Sequence, residues 1–186
     1  MQLILASASP RRAELLRSAG FDFTVEPADI DEIPREGEAA VDYTLRVARE
    51  KAERVAERHR GANVVVVGAD TEVVQDGRIF GKPSDARDAR RMLEALSGRE
   101  HWVYTGVVLI GPSGRKEEVA STRVRFASMT PDEMDWYVCS GEPMGKAGAY
   151  AIQGLGARFV ERIEGSWSNV VGLPVATVHR LLREVQ

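Results

Sequence analysis

The chain has 186 residues, of which 44% are hydrophobic and 28% are charged, the balance of a globular protein able to bury a core. Its net charge of −3 argues against an extended basic surface for DNA or an anionic membrane, although a few local cations can still hold a small anion. The single cysteine, Cys139, excludes an intrachain disulfide, and its helical context predicts a packing residue.

The first element is a short buried strand at residues 3–6, followed by a turn of small residues and a helix at residues 10–18. Ser9 is a candidate N-cap of this helix, with proline at the first helical position. Arg11 and Arg12 occupy the first turn, where the helix dipole disfavours cations but the unpaired N–H groups attract anions. This setting favours phosphate binding over the alternative of two solvated arginines.

An acidic loop and an amphipathic helix follow. Asp29, Asp31 and Glu32 could supply a carboxylate to a metal or simply face solvent. Apolar residues share one face from about residue 39 to 58, which predicts a helix. Lys51 lies at the edge of that face, where a lysine usually extends its ammonium group to water.

The segment "NVVVVGAD" predicts a strand that is buried on both faces, as in the centre of an α/β sheet. Asp70 and Glu72 follow the valines, and we interpret them as lying at the carboxyl end of the strand, where ligands of such sheets gather. Asp70 could bind a divalent cation, activate a water as a general base, or cap a turn. A hairpin turn is predicted at Asp76-Gly77, and Lys82 lies in the loop beyond it.

The rest of the chain continues to mix helices and strands, which predicts an α/β fold with at least one antiparallel hairpin. The predicted elements are a helix from Ser84 or Asp85 to Leu96, strands at 101–110 and 119–126, a helix behind a capping box at 130–133, two strands around a glycine turn within 149–163, and a helix at about 168–185.

Several catalytic signatures are missing from the sequence. It contains no P-loop, no dinucleotide fingerprint and no nucleophilic triad signature, and its three histidines lack metal-ligand spacing. The remaining chemical groups are arginine, lysine, aspartate and glutamate. That inventory suits metal-assisted phosphoryl chemistry with water as the nucleophile.

Five segments together resemble the Maf family of nucleoside triphosphate pyrophosphatases, in the order of that family and over nearly the whole chain. They are "LASASPRRAELL", "GADTEVVQDGRIFGKP", "LSGREHWVYTGVVL", "GKAGAYAIQGLGARFVERIEG" and "SNVVGLP". The resemblance implies one domain over residues 1–186, with an elongated, two-lobed mixed sheet, flanking helices and a deep central cleft. It further implies hydrolysis between the α- and β-phosphates, a divalent cation such as Mg²⁺ or Mn²⁺, and a homodimer.

The resemblance also assigns roles to particular residues. Asp70 matches the catalytic carboxylate of the family, and Glu32 matches an acidic residue that would share the metal with it. The phosphate-binding motif and the lysines of the cleft match Ser9, Arg11, Arg12, Lys51 and Lys82. The chain departs from the family at Gly145, where an aspartate is usual.

Two positions distinguish the branches of the family, and here they read Thr71 and Gln153, as in the dTTP/UTP branch that the chain resembles. Together with Arg12, these residues are expected to set the base preference. A neutral amide donates and accepts, so Gln153 suits the N3–H and O4 of uracil or thymine, whereas a carboxylate only accepts. We therefore expect a cytoplasmic enzyme that removes dTTP, UTP or modified pyrimidine nucleotides, limits the incorporation of non-standard nucleotides, and binds neither nucleic acid nor a membrane. The alternatives are a nucleotide-binding regulator of cell division with incidental hydrolysis, or the same chemistry with a preference for 7-methyl-GTP.

Overall fold

A computed structural model describes residues 2–185, and within them seven strands form one mixed sheet in the order β2-β1-β3-β5-β6-β7, with β4 paired to β3. The strands are β1 Gln2–Leu5, β2 Phe23–Val25, β3 Val64–Gln75, β4 Arg78–Phe80, β5 Glu100–Gly111, β6 Gly114–Phe126 and β7 Val160–Glu164. The helices are α1 Pro10–Ser18, α2 Ala40–Ala56, α3 Ala86–Leu96, α4 Pro131–Cys139, α5 Trp167–Val171 and α6 Val175–Val185. The prediction of an α/β fold with a mixed sheet is confirmed.

The chain forms two compact units. The first consists of the segment that ends at Thr71, the segment Thr105–Ala120 and the segment that begins at Gly172. The second consists of Glu72–Tyr104 and Ser121–Val171.

The first unit buries β1 and β3 on both faces. Alternate side chains of a strand point to opposite faces, so Leu3, Leu5, Val65 and Val67 enter one core cluster, to which α1 and α6 also contribute residues. Their neighbours in sequence, including Ile4 and Val66, enter a second cluster with residues of α2. This double burial explains why the strand carries four valines in succession.

Helix α2 packs directly on the backbone of β3. A Cβ atom added to Gly68 would lie 2.3 Å from the carbonyl oxygen of Ala48, a distance that real Cβ atoms essentially never show. Ala48 and Ala52 are fully buried at this contact, and a Cβ on Gly68 would also lie 2.8 Å from that of Ala52. Small residues on both elements therefore set the separation between the helix and the strand.

Asp70 does not end its strand, so that prediction was wrong. β3 continues to Gln75 because residues beyond Asp70 pair with β4 across the predicted hairpin at Asp76-Gly77, which is confirmed. The parallel neighbour β1 ends at Leu5, opposite Val67. Asp70 is thus beyond the end of the adjacent parallel strand while its own strand continues.

The second unit has an aromatic core. The imidazole of His101 lies edge-on to the rings of Phe126 and Tyr150, with centroid distances of 5.0 and 5.4 Å. Two helices begin where the sequence predicts, at the N-cap Asp85 and at the capping box formed by Thr130 and Glu133.

Three other predictions were wrong. Residues 149–153 form no strand, because the chain turns through positive φ angles at Gly148 and Ala149 and continues to a short 3-10 helix at Leu155–Phe159. The last predicted helix is divided into α5 and α6, since Gly172 has a φ of 129°. Cys139 is exposed at the end of α4 rather than packed. None of the helices within residues 2–185 has the length and apolar character to cross a bilayer.

Candidate active site

A lysine joins two carboxylates in the first unit. The Nζ atom of Lys51 lies 2.8 Å from Oδ1 of Asp70 and 2.7 Å from Oε1 of Glu32. Lys51 and Asp70 are buried, with only 7% and 5% of their surfaces exposed, whereas the Glu32 side chain is 39% exposed. Residues from α2, β3 and the acidic loop therefore meet at one point, with the Glu32 carboxylate partly accessible to solvent.

The second carboxylate oxygen of Asp70 is available for chemistry. Its Oδ2 atom is buried and accepts no hydrogen bond from any residue in the described range 2–185. A buried carboxylate oxygen without a donor is costly in a finished core, but it can accept from a reacting water or coordinate a cation. This atom fits a catalytic or metal-binding role better than the alternative of a turn cap.

Lys51 corrects one expectation from the helical pattern. Its ammonium does not extend to water but points at the strand, because Asp70 offers a buried partner within reach. A buried charge persists only when it is paired, and the two carboxylates supply that pairing. The role that the family resemblance gives Lys51, contact with substrate phosphates, stays a prediction.

Arg12 is fixed by hydrogen bonds within the first unit. Its backbone N–H donates to the N-cap hydroxyl of Ser9 at 3.5 Å, as expected for this helix start. The buried guanidinium donates from four N–H groups, and its acceptors are the Ala69 and Gly172 carbonyl oxygens at 2.8 Å and the Ser7 and Thr71 hydroxyls at 3.0 Å. Arg12 thus ties α1 to β3 and to the start of the final segment, a structural role that its sequence context did not predict.

Arg11 differs from Arg12 although it is adjacent. Its guanidinium is half-buried and makes no ion pair or hydrogen bond with residues 2–185. Partial burial lowers the pKa of Arg11 from its ordinary value, because a charge is less well solvated there. Of the two arginines, Arg11 is the one whose donors remain available to an anion.

The remaining predicted site residues belong to the second unit, except Thr71. The Thr71 hydroxyl lies 3.0 Å from the hydroxyl of Thr105 and 3.2 Å from the Gly172 carbonyl oxygen. Lys82 and Gln153 are exposed in the second unit, while Glu72 is buried. The structure thus brings Glu32, Lys51 and Asp70 together, and Arg12 with Thr71.

Three polar residues of these networks were missed by the sequence analysis. Ser7 accepts from Arg12, Thr105 contacts Thr71, and Glu142 holds the loop that carries Gln153. Ser7 lies in "LASAS", Thr105 in "YTG" and Glu142 three residues before "GKAG". None of the three has a spacing to other polar residues that indicates a chemical role.

The fold is shared with solved structures of Ham1 proteins. The Staphylococcus aureus Ham1 protein superposes with a TM-score of 0.53 at 13% identity, covering 100% of both chains. The Coxiella burnetii HAM1 protein gives 0.52 at 16% identity, covering 99% of both. At these low sequence identities the structural similarity shows a shared fold.

Sequence comparison then assigns the family. Residues 2–185 match the family described as Maf-like protein. A Myxococcus xanthus protein named dTTP/UTP pyrophosphatase is 56% identical over 182 residues, covering 97% of this chain and 90% of its own. Proteins of the same name from Koribacter versatilis and Hahella chejuensis are 51% and 50% identical, covering 98% of this chain and 94% and 92% of theirs. The chain belongs to the Maf-like protein family.

Proposed function

We propose that this chain is a nucleoside triphosphate pyrophosphatase that hydrolyses dTTP and UTP to the monophosphate and pyrophosphate. The relatives at 50–56% identity carry that name over nearly their whole length. The observation that carries the proposal is the buried Asp70 carboxylate, which has one oxygen on Lys51 and the other without a donor among residues 2–185.

Asp70 acts as the general base in this proposal. Its Oδ2 atom accepts the proton of the attacking water, while Lys51 holds Oδ1 and fixes the plane of the carboxylate. No nucleophilic side chain is required, in agreement with the absence of a triad signature. The proton and the hydroxyl group both come from one water molecule, which balances the hydrolysis.

Asp70 and Glu32 are also the residues that would hold a divalent cation. The residues 2–185 contain no group of three or more acidic, histidine or cysteine side chains placed as metal ligands. Mg²⁺ commonly uses one or two carboxylates together with substrate phosphates and water, so this donor set fits Mg²⁺ or Mn²⁺. Such a cation, when bound, neutralises the charge of the phosphates.

The substrate contacts are assigned from the position of Arg11 and from the family resemblance. Arg11 offers a half-buried guanidinium at the start of α1, beside the N-cap Ser9, which suits a phosphate. The family resemblance assigns Lys82 to the phosphates and Gln153 to the base, and both side chains are exposed in the second unit. Gln153 makes no hydrogen bond with the described residues, so its amide is available to a pyrimidine edge.

A homodimer and a cytoplasmic location belong to the same proposal and come from the family resemblance. The rival proposals are a nucleotide-binding regulator and an enzyme that prefers 7-methyl-GTP.

One experiment separates these possibilities. The purified chain is incubated with dTTP, UTP, CTP, GTP and 7-methyl-GTP, with Mg²⁺, with Mn²⁺ or with a chelator, and pyrophosphate is measured. We expect the highest kcat/KM for dTTP and UTP and no turnover in the chelator. Nucleotide binding without turnover by the metal-loaded protein would favour the regulator, and a preference for 7-methyl-GTP would reject the pyrimidine assignment.

A further inference from the structure

Glu142 is a half-buried residue of the second unit that the catalytic proposal does not use. Its Oε1 atom accepts hydrogen bonds from the Tyr137 hydroxyl at 2.7 Å and from the Gly156 backbone N–H at 2.9 Å. Its Oε2 atom accepts from the Leu155 backbone N–H at 2.9 Å. Both carboxylate oxygens are thus engaged, and two of the three donors belong to the loop just after Gln153.

The loop of residues 151–156, here the Gln153 loop, is fixed at both ends. At its start, the backbone N–H of Ala151 donates to the Tyr137 hydroxyl at 3.1 Å. At its end, Leu155 and Gly156 donate to Glu142, which accepts from the same tyrosine. Tyr137 and Glu142, which are hydrogen-bonded to each other, therefore hold the backbone on either side of Gln153.

The Glu142 carboxylate, where it stands, occupies the space of a Cβ atom at Gly154. A Cβ atom on Gly154 would lie 2.1 Å from Oε2 of Glu142 and 2.6 Å from its Cδ. The carboxylate therefore rests against the bare backbone of the residue next to Gln153. Gln153 itself is exposed and has no hydrogen bond to the described residues, so its position depends on the backbone that carries it.

The charge of Glu142 suits this task. Burial opposes its ionisation, but the hydrogen bonds from Gly156, Leu155 and Tyr137 outweigh burial and lower its pKa. A carboxylate has no donor of its own, so it accepts from all three groups at once. A glutamine at this position would turn one N–H toward a backbone N–H or a hydroxyl that is already donating.

We propose that Glu142 is a positioning residue for base selection, acting through the Gln153 loop to hold the Gln153 amide where it reads a pyrimidine. This role rests on the proposed function, in which Gln153 contacts the base. Glu142 is not itself in contact with the substrate. Its loss should therefore change the discrimination between bases rather than the hydrolysis as such.

The test compares Glu142→Gln with a matched control, Glu161→Gln, which changes another glutamate of the same unit whose nearest basic partner, Arg125, lies 3.6 Å away. The kcat and KM values for UTP and GTP are measured, and the ratio of the two kcat/KM values is the readout. We expect Glu142→Gln to lower the UTP preference about tenfold through the UTP value, because at least one hydrogen bond to the loop is lost. Glu161→Gln should leave the ratio unchanged.

A double-variant cycle identifies the route of the effect. In a Gln153→Ala background, adding Glu142→Gln should change the ratio by less than about twofold, because both changes then act on the same contact. If Gln153→Ala lowers the ratio while folded Glu142→Gln leaves it unchanged, the positioning role is overturned and the base contact stands. If Gln153→Ala itself leaves the ratio unchanged, the proposed base contact fails, and the role of Glu142 fails with it.

Thermal melting of each variant shows whether it is folded. Should Glu142→Gln not fold, Tyr137→Phe makes the same test, since it removes the hydroxyl that donates to Glu142 and accepts from Ala151. A lowered UTP preference in folded Tyr137→Phe supports the proposal. An equal loss of kcat for both nucleotides, with the ratio preserved, assigns Glu142 a structural role only and overturns it.

Discussion

The guanidinium of Arg12 donates a hydrogen bond to the hydroxyl of Thr71, two residues that lie 59 positions apart in the sequence. Arg12 and Thr71, both expected to influence base preference, thus contact each other within the protein. Thr71 in turn contacts the buried hydroxyl of Thr105. A change at either position therefore alters a network within the protein before it alters any contact with substrate.

Substitutions of Arg12 and Arg11 should have different effects, the first on stability and the second on substrate binding. We expect Arg12→Ala to lower the free energy of unfolding by about 3 kcal/mol or more, because buried carbonyl and hydroxyl oxygens lose a charged donor. Arg11→Ala should leave stability within about 0.5 kcal/mol and raise KM for the nucleotide. Urea unfolding and steady-state kinetics of both variants check this, and equal stability of the two would contradict the Arg12 network.

Asp70→Asn should be folded and nearly inactive. Asparagine retains an oxygen acceptor for Lys51, which also keeps its ion pair with Glu32, but it is not a base and is a poor cation ligand. Loss of a positioned general base costs roughly 10²–10⁴-fold in rate. The measurement is pyrophosphate release from UTP at saturating Mg²⁺. Turnover near that of the unmodified protein would move the base role to Glu32 or Glu72.

Gln153→Glu should weaken pyrimidine recognition. A carboxylate opposes the O4 acceptor of uracil, and a buried acceptor left unpaired costs roughly 1–3 kcal/mol, an order of magnitude or more in kcat/KM. We expect the values for dTTP and UTP to fall more than those for GTP and 7-methyl-GTP. The four constants are compared under one metal condition. A uniform decrease in all four would reject base reading by Gln153 and leave the hydrolytic chemistry in place.

His101 should make the stability of the protein sensitive to acid. Burial lowers the pKa of His101 to about 3, from about 6.5 in an unfolded chain. Between these values the unfolded state binds the extra proton, so the stabilisation is fully present above about pH 6.5 and is lost as the pH falls toward 3. The slope is about 1.4 kcal/mol per pH unit, or about 2 kcal/mol between pH 6.5 and 5.

The check is a set of denaturant unfolding curves between pH 5 and 8. His101→Gln removes the titrating group from the aromatic core and should flatten the dependence above pH 5. His179→Gln, on exposed surface of α6, is the matched control and should preserve the slope. An equally steep dependence in His101→Gln would show that other groups cause it.

The fold could be predicted where local chemistry decides it. Ser9, Asp85 and Thr130 each cap the helix that their sequence context indicates, because the cap lies within a few residues of the groups it satisfies. The continuation of β3 past Asp70 and the loss of a strand at residues 149–153 depend on pairing partners elsewhere in the chain. The local hairpin pattern at Asp76-Gly77 indicates the first of these pairings, but it does not show that one strand runs unbroken from the valines to Gln75.

The same distinction applies to the candidate site. Asp70 was found from its position after the valines and from family resemblance, but the reason for a buried Lys51 was not visible in the helical pattern. Lys51, on an apolar face, is stabilised by two carboxylates that are each 19 residues away along the chain. Likewise, the position of Arg12 in the sequence predicts an anion-binding residue, whereas its hydrogen bonds in the structure are those of a buried structural residue.

The contact between Gly68 and Ala48 has a consequence for how the charges are spaced. Asp70 lies two residues after Gly68 on the strand, and Lys51 lies three residues after Ala48 on the helix. The close contact between Gly68 and Ala48 therefore sets the distance between the two charged residues. A methyl group at position 68 would push helix α2 away from strand β3 and lengthen the distance between Lys51 and Asp70, although it removes no charge and no hydrogen-bonding group. The distance between Lys51 and Asp70 can therefore be altered by a substitution at Gly68, a residue that has no side chain.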